Sequence, residues 1–115
     1  MILTDIKKKL EEIDSNVFYG MVDKRMKETT WDYIVFNRKI IKSNTNKTGF
    51  SVVFSVNIVR ENFIPEDLEI DVINKVQELA GVRLAGDGIY TYIQKPNTNI
   101  VVEMFSVDFV RAKKV

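Results

Sequence analysis

The amino-acid sequence predicts an α+β fold: a mostly antiparallel sheet of about five strands with two helices packed on one face, in the order α-β-β-β-α-β-β. Three observations carry this prediction. Residues 49–60 place Phe50, Val52, Phe54, Val56 and Ile58 on one strand face and Ser51, Ser55 and Asn57 on the other, with Val53 and Val59 between them. Period-two alternation of this length marks a half-buried strand. Residues 31–41 are dominated by aromatic and β-branched side chains, which strands favour. In 2–14 and 65–80, by contrast, apolar residues recur at helical spacing.

Each element follows from its own residues. Ile2, Leu3, Ile6, Leu10 and Ile13 form the apolar stripe of the first helix, and Asp14-Ser15-Asn16 breaks it. Val17 to Val22 reads as a short strand and 23–30 as a polar loop. Both faces of 31–41 are apolar around Tyr33 to Phe36, which predicts a central strand. Lys42 to Gly49 then form a protruding hairpin loop. Pro65 suits a first helical position, and Glu66, Asp67 and Glu69 fill the first turn, where the helix dipole favours acid. Leu68, Val72, Val76, Leu79 and Ala80 supply the buried stripe, and Gly81 is suited to the left-handed residue after the helix. Strands over 88–95 and 100–111 close the chain, with Val101, Phe105, Val107 and Phe109 on one face. Trp31 or its neighbours, Val53, Val59, Val102 and Met104 belong to the face the helices leave uncovered. They are buried there either by a partner or by curling of the sheet.

At 115 residues, one domain over 1–115 is expected, large enough for an ordinary core. The charge of +1, from 17 basic and 16 acidic residues, lacks the basic surplus of a protein devoted to gripping nucleic acid. No cysteine is present, so disulfides, thiolate metal sites and cysteine nucleophiles are excluded. No histidine is present, which removes the usual general base and the commonest metal ligand. No apolar run reaches the ~20 residues of a membrane span. The N-terminus lacks the order of a signal peptide, so cytoplasmic synthesis is expected.

The remaining chemistry-bearing groups have ordinary readings. Asp5, Glu11, Glu12 and Asp14 read as a solvated helix face, and Glu66, Asp67, Glu69 and Asp71 as dipole compensation scattered around a helix rather than a metal set. Gly81, Gly86 and Gly88 come after a helix and lead into a strand, the reverse of a phosphate loop. Tyr90, Tyr92, Phe105 and Phe109, with Lys95 and Arg111 nearby, make a weak candidate for a base-stacking platform. No catalytic residue, cofactor or metal is expected.

The assembled pattern resembles the small tail terminator and tail-completion (head–tail joining) proteins of long-tailed phages. The resemblance runs over essentially the whole chain. It rests on the opening helix ending in Val17-Phe18-Tyr19-Gly20, the Trp31–Ile41 strand, the polar hairpin loop and the alternating Phe50–Arg60 strand. It continues through Arg60-Glu61-Asn62-Phe63-Ile64-Pro65-Glu66 into the second helix and ends in a hairpin with Val102-Glu103-Met104-Phe105. The resemblance implies a structural virion protein that forms a ring, typically of six copies, capping the tail tube and meeting the head-side connector. The implied partners are other copies of the chain, the tail-tube protein and the connector. No membrane is involved, and nucleic acid is met at most by lining a channel. The implied location is the tail or neck of the virion, after assembly in the host cytoplasm. Lys42, Ser43, Asn44, Thr45, Asn46, Lys47 and Thr48 form the candidate contact loop, polar and longer than usual in hairpins. Other phage neck or adaptor proteins, an enzyme limited to Asp, Glu, Lys or Tyr, and a small nucleic-acid-binding module are the alternatives.

Overall fold

The alternating runs set the frame of the molecule. The computed structural model describes residues 2–23, 29–43 and 49–114. The elements are α1 (Ile2–Glu11), β1 (Val17–Tyr19), β2 (Asp32–Ser43), β3 (Gly49–Glu61), α2 (Leu68–Gln77), β4 (Val82–Leu84), β5 (Ile89–Gln94) and β6 (Val101–Lys114). The fold is α+β with a mostly antiparallel sheet, as predicted, and has one strand more than the sequence suggests. Val82 to Leu84 are too few to alternate visibly and sit between glycines. They become β4 by pairing with β6, Val82 opposite Arg111 and Leu84 opposite Phe109.

The sheet runs β1-β2-β3-β6, and β4 and β5 succeed one another along the far edge of β6. Among the described strands only β1 and β2 pair in parallel. β3 pairs with β6 over its whole length, from Gly49 opposite Lys114 to Glu61 opposite Val102. Between Arg38 and Ile40 the β2–β3 register shifts, and Lys39 is the extra residue of a bulge. The bulge inverts the facing of the rest of β2. Ile34 and Phe36 lie on the helix side, whereas Ile40 shares the opposite side with Val53.

The two helices cover the face carrying Phe36, Phe54, Val56, Ile58, Phe105, Val107 and Phe109. Ile6 and Leu10 of α1 and Val72 and Val76 of α2 complete that core, all four fully buried. The opposite face is not left open. Tyr33, Val59 and Val102 are buried there, with Phe18, Val22, Trp31, Val35 and Met104 packed against them. Val22 and Trp31 flank the crossover from β1 to β2, which a parallel pair requires. The chain's own crossover thus contributes to covering this face.

The helices are shorter than their apolar stripes predict. α1 ends at Glu11, and Ile13 and Asp14 close a turn onto the Leu10 carbonyl. α2 begins at Leu68 rather than Pro65. Asp67 sits before it at φ 70 with no side-chain cap, and the Leu68 N–H bonds the Pro65 carbonyl. A left-handed residue at that point stops the helix from reaching back to the proline. Gly81 is left-handed, as expected, but in the turn into β4 rather than directly after the helix. Lys42 and Ser43, placed in the loop from sequence, are the last residues of β2. Asn44 to Thr48 lie outside the described residues.

Candidate functional site

The features of the molecule that differ most from an ordinary surface are the two edges of its sheet. β5 lines the far edge of β6, from Ile89 opposite Ser106 to Gln94 opposite Val101. All six of its residues are exposed, with Ile89 at 62% and Tyr92 at 60%. The segment Ile-Tyr-Thr-Tyr-Ile-Gln carries no formal charge. Among the described residues no strand pairs with its outer side. An unpaired apolar strand presents a row of N–H and C=O groups ready to accept another strand.

Two tyrosines fasten this strand to the body. The Tyr90 hydroxyl donates to Glu69 of α2, and the Tyr92 hydroxyl donates to Glu103 of β6 at 2.8 Å. The bond to the Glu69 carboxylate, helped by burial, pushes the Tyr90 phenol up to about 12. The bond to Glu103 raises Tyr92 in the same way. Glu103 also accepts the Ile64 N–H at 2.7 Å. The Tyr90 ring packs on Phe105 with centroids 4.9 Å apart. Gly88, just before the strand, leaves room for that ring: a Cβ there would stand 2.2 Å from Phe105 Cζ.

The opposite edge is β2. β1 covers only Ile34, Val35 and Phe36 of it. Gly20, left-handed at φ 77, then turns the chain away after a last bond from its N–H to the Phe36 carbonyl. Beyond that point Arg38, Lys39, Ile40, Ile41, Lys42 and Ser43 are all exposed, with Ile41 at 66%. Among the described residues their outer side pairs with no strand. Three of these six side chains are cationic. Lys39 bridges Asp108 at 2.8 Å, and Arg38 Nε donates to the Tyr19 hydroxyl at 3.1 Å. Asp108 also accepts from Ser55 at 2.7 Å. Burial works to raise the Asp108 carboxyl, but these two bonds and the nearby Lys42 charge outweigh it and hold the group below its usual range.

Several other charges hold the fold. Arg60 bridges Asp14 and Asp32, each at 2.6 Å, and donates to the Tyr33 and Val59 carbonyls. It forms one wall of an open groove of about 370 Å³ shared with Glu61, Phe63 and Pro65. Lys95 pairs with Glu61 at 3.0 Å, donates to the Thr29 carbonyl and lies 5.7 Å from the Trp31 ring centroid. Between the helices Lys75 bridges Glu12, and Lys9 bridges Glu78.

The candidate residues read from the sequence are dispersed rather than gathered. Phe105 and Phe109 are buried in the core, so the four-aromatic platform is reduced to Tyr90 and Tyr92, whose hydroxyls face carboxylates instead of phosphate-binding cations. Glu69 holds Tyr90, and Asp67 precedes α2 in the left-handed region. Among the described residues no three His, Cys, Asp or Glu side chains gather as metal ligands would, and no helix is long and apolar enough to cross a membrane. Of the contact loop, Lys42 and Ser43 stand on the exposed β2 edge. The β5 edge was missed by sequence reasoning. Its signal was a six-residue strand run without a charge between Asp87 and Lys95. No model of a known protein family matches the chain, and no curated protein matches it.

Proposed function

We propose that the protein is a structural subunit that works by joining copies of itself into a ring, in the manner of a phage tail terminator or a related neck component. The observation that carries this reading is β5, an uncharged, largely apolar strand exposed at all six residues and fastened to the sheet edge through Tyr90 and Tyr92. A lone soluble protein blunts such an edge with charge, proline or a covering segment. Here the edge is presented. The resemblance of the sequence supplies the station: six copies closing on the end of the tail tube, with one side stopping further addition and the other meeting the head-side connector. The work is steric and adhesive, and the protein is not an enzyme. The segment from Lys42 to Thr48, between β2 and β3 in the chain, is the contact to a neighbouring subunit or the tube.

The test is particle assembly in an induced host. Without the protein, tails of irregular length or tails separated from heads are expected. Normal particles would overturn the function. Deletion of 43–48 in an otherwise intact chain asks the same of the loop: normal tails joined to heads would remove the loop from the proposal and leave the ring.

A further inference from the structure

We infer that the subunits of this ring join head to tail through one continuous sheet, with β5 of each copy adding antiparallel to the open half of β2 in the next, Thr91 opposite Ile40. This rests on the ring-forming reading above and names its contact.

The described residues include two strand segments with no strand on their outer side, each six residues long and exposed at every residue, on opposite edges of the same sheet: 38–43 and 89–94. Unlike, complementary edges make a heterologous contact, which closes into a ring or runs on as a filament. Strand direction fixes the polarity. β2 and β6 run one way, β3 and β5 the other. A rotation about an axis that keeps the strand direction therefore brings β5 against a neighbouring β2 in antiparallel fashion.

Register is set by three constraints. The helix-side and opposite-side faces must continue across the joint. Thr91 pairs with Met104, on the same face as Val59, and Ile40 pairs with Val53 on that face. Thr91 opposite Ile40 then sets Ile41 opposite Tyr90, a β-branched–aromatic pair of the kind that stabilises sheets. The second constraint is β1, which ends at Tyr19 opposite Phe36. With Thr91 at Ile40, the faces match over 40–43 against 88–91, and Tyr92 and Ile93 run past the bulge beside Lys39 and Arg38 and stop short of β1, whereas a register two residues nearer to β1 collides with it. The third is closure. The row through Ile40 crosses β6 at Val110 and the row through Thr91 crosses it at Met104, six residues away. That is a step of roughly 20 Å along the strands for four strands, or roughly 19 Å, across them. The strands then incline by roughly 45°, at the upper end of the tilt at which barrels close. A register two residues farther from β1 exceeds it. For six copies the strand wall is roughly 50 Å across.

The 115-residue chain has no cysteine, so introduced thiols are unique. Ile40→Cys and Thr91→Cys lie on exposed positions, and the two variants are mixed at millimolar chain and oxidised. A disulfide-linked product is expected in the mixture and in neither variant alone, and the double variant forms a ladder ending at the ring. Thr91→Lys in the chain that carries Ile40→Cys has no thiol partner and serves as the blank. Thr91→Cys mixed with an Ile40→Cys chain also carrying Ile41→Asp should lose about tenfold or more of the product. Thr91→Cys linking to itself would establish a two-fold β5–β5 pair and overturn the inference, as would absence of the mixed product. Stronger linking of Ile40→Cys to Ile89→Cys or Ile93→Cys would overturn the register. Rings in the microscope without the mixed product refute this contact while the structural function stands. The mixed product together with normal particles in the absence of the protein refutes the function alone.

Discussion

The two edges of this sheet are alike in length and exposure and opposite in chemistry. The open half of β2 carries Arg38, Lys39 and Lys42 together with a bulge, which are the devices that keep an edge from pairing at random. β5 carries none of them. Two β2 edges brought together set like charges against each other. Two β5 edges set no formal charge of their own strands against each other. The difference teaches that one sheet can guard one border and present the other.

The most severe way to break the comparison is to remove the sheet that separates the edges. Phe54, 1% exposed at the centre of β3, pairs with Arg38 on one side and Phe109 on the other. Phe54→Ala is expected to lower stability by about 3–5 kcal/mol, read from urea unfolding. A change under about 1 kcal/mol would place that face outside the core. Gly88→Ala acts on one edge alone. Its Cβ drives into the Phe105 ring, so about 1–3 kcal/mol is expected, with faster hydrogen exchange in β5 than in β2. Equal change at both edges would show that β5 is not a separable element.

The guarded edge has its own probe in Asp108. Ser55→Ala removes a buried hydroxyl donor and is expected to cost about 1 kcal/mol at neutral pH. The Asp108 carboxyl lies below its ordinary 3.8 in the fold, so the unfolded chain binds that proton more readily. Its contribution is present above the ordinary value and fades as pH falls through the folded one. Asp108→Asn should therefore flatten stability against pH below about 4. An unchanged acid slope would remove Asp108 from that role. The smallest effect is spectroscopic. Tyr90 ionises near 12 because Glu69 accepts its proton's bond, and any stability it contributes is present below 10 and lost as pH rises toward 12. Glu69→Gln should bring one phenol back toward the normal range in an absorbance titration. If the curve stays the same, the Tyr90–Glu69 fastening is absent in solution.

The long strands and the core were legible because they repeat. Phe54, Val56 and Ile58 on β3 and Phe105, Val107 and Phe109 on β6 announce themselves by alternation and meet in the core. Pro65 misled because its suitability for a helix start says nothing of the left-handed Asp67 between it and α2. The covered second face depends on where the β1–β2 crossover lies, a long-range fact that local pattern does not encode. The same holds for the edges. Ile89 to Gln94, Ile40 and Ile41 look like core strand in the sequence, and only the strand order makes them borders.

The outline of the molecule has a practical meaning of its own. The long strands stretch the molecule to 51 × 27 × 25 Å, with a radius of gyration of 15.2 Å. A rounded domain of this length has a radius of roughly 13 Å. A single copy will therefore diffuse and elute like a heavier particle. On a column calibrated with spherical standards its apparent mass will be too high though short of a dimer's, so the number of copies is to be read from scattered light or sedimentation equilibrium, which weigh the particle whatever its shape.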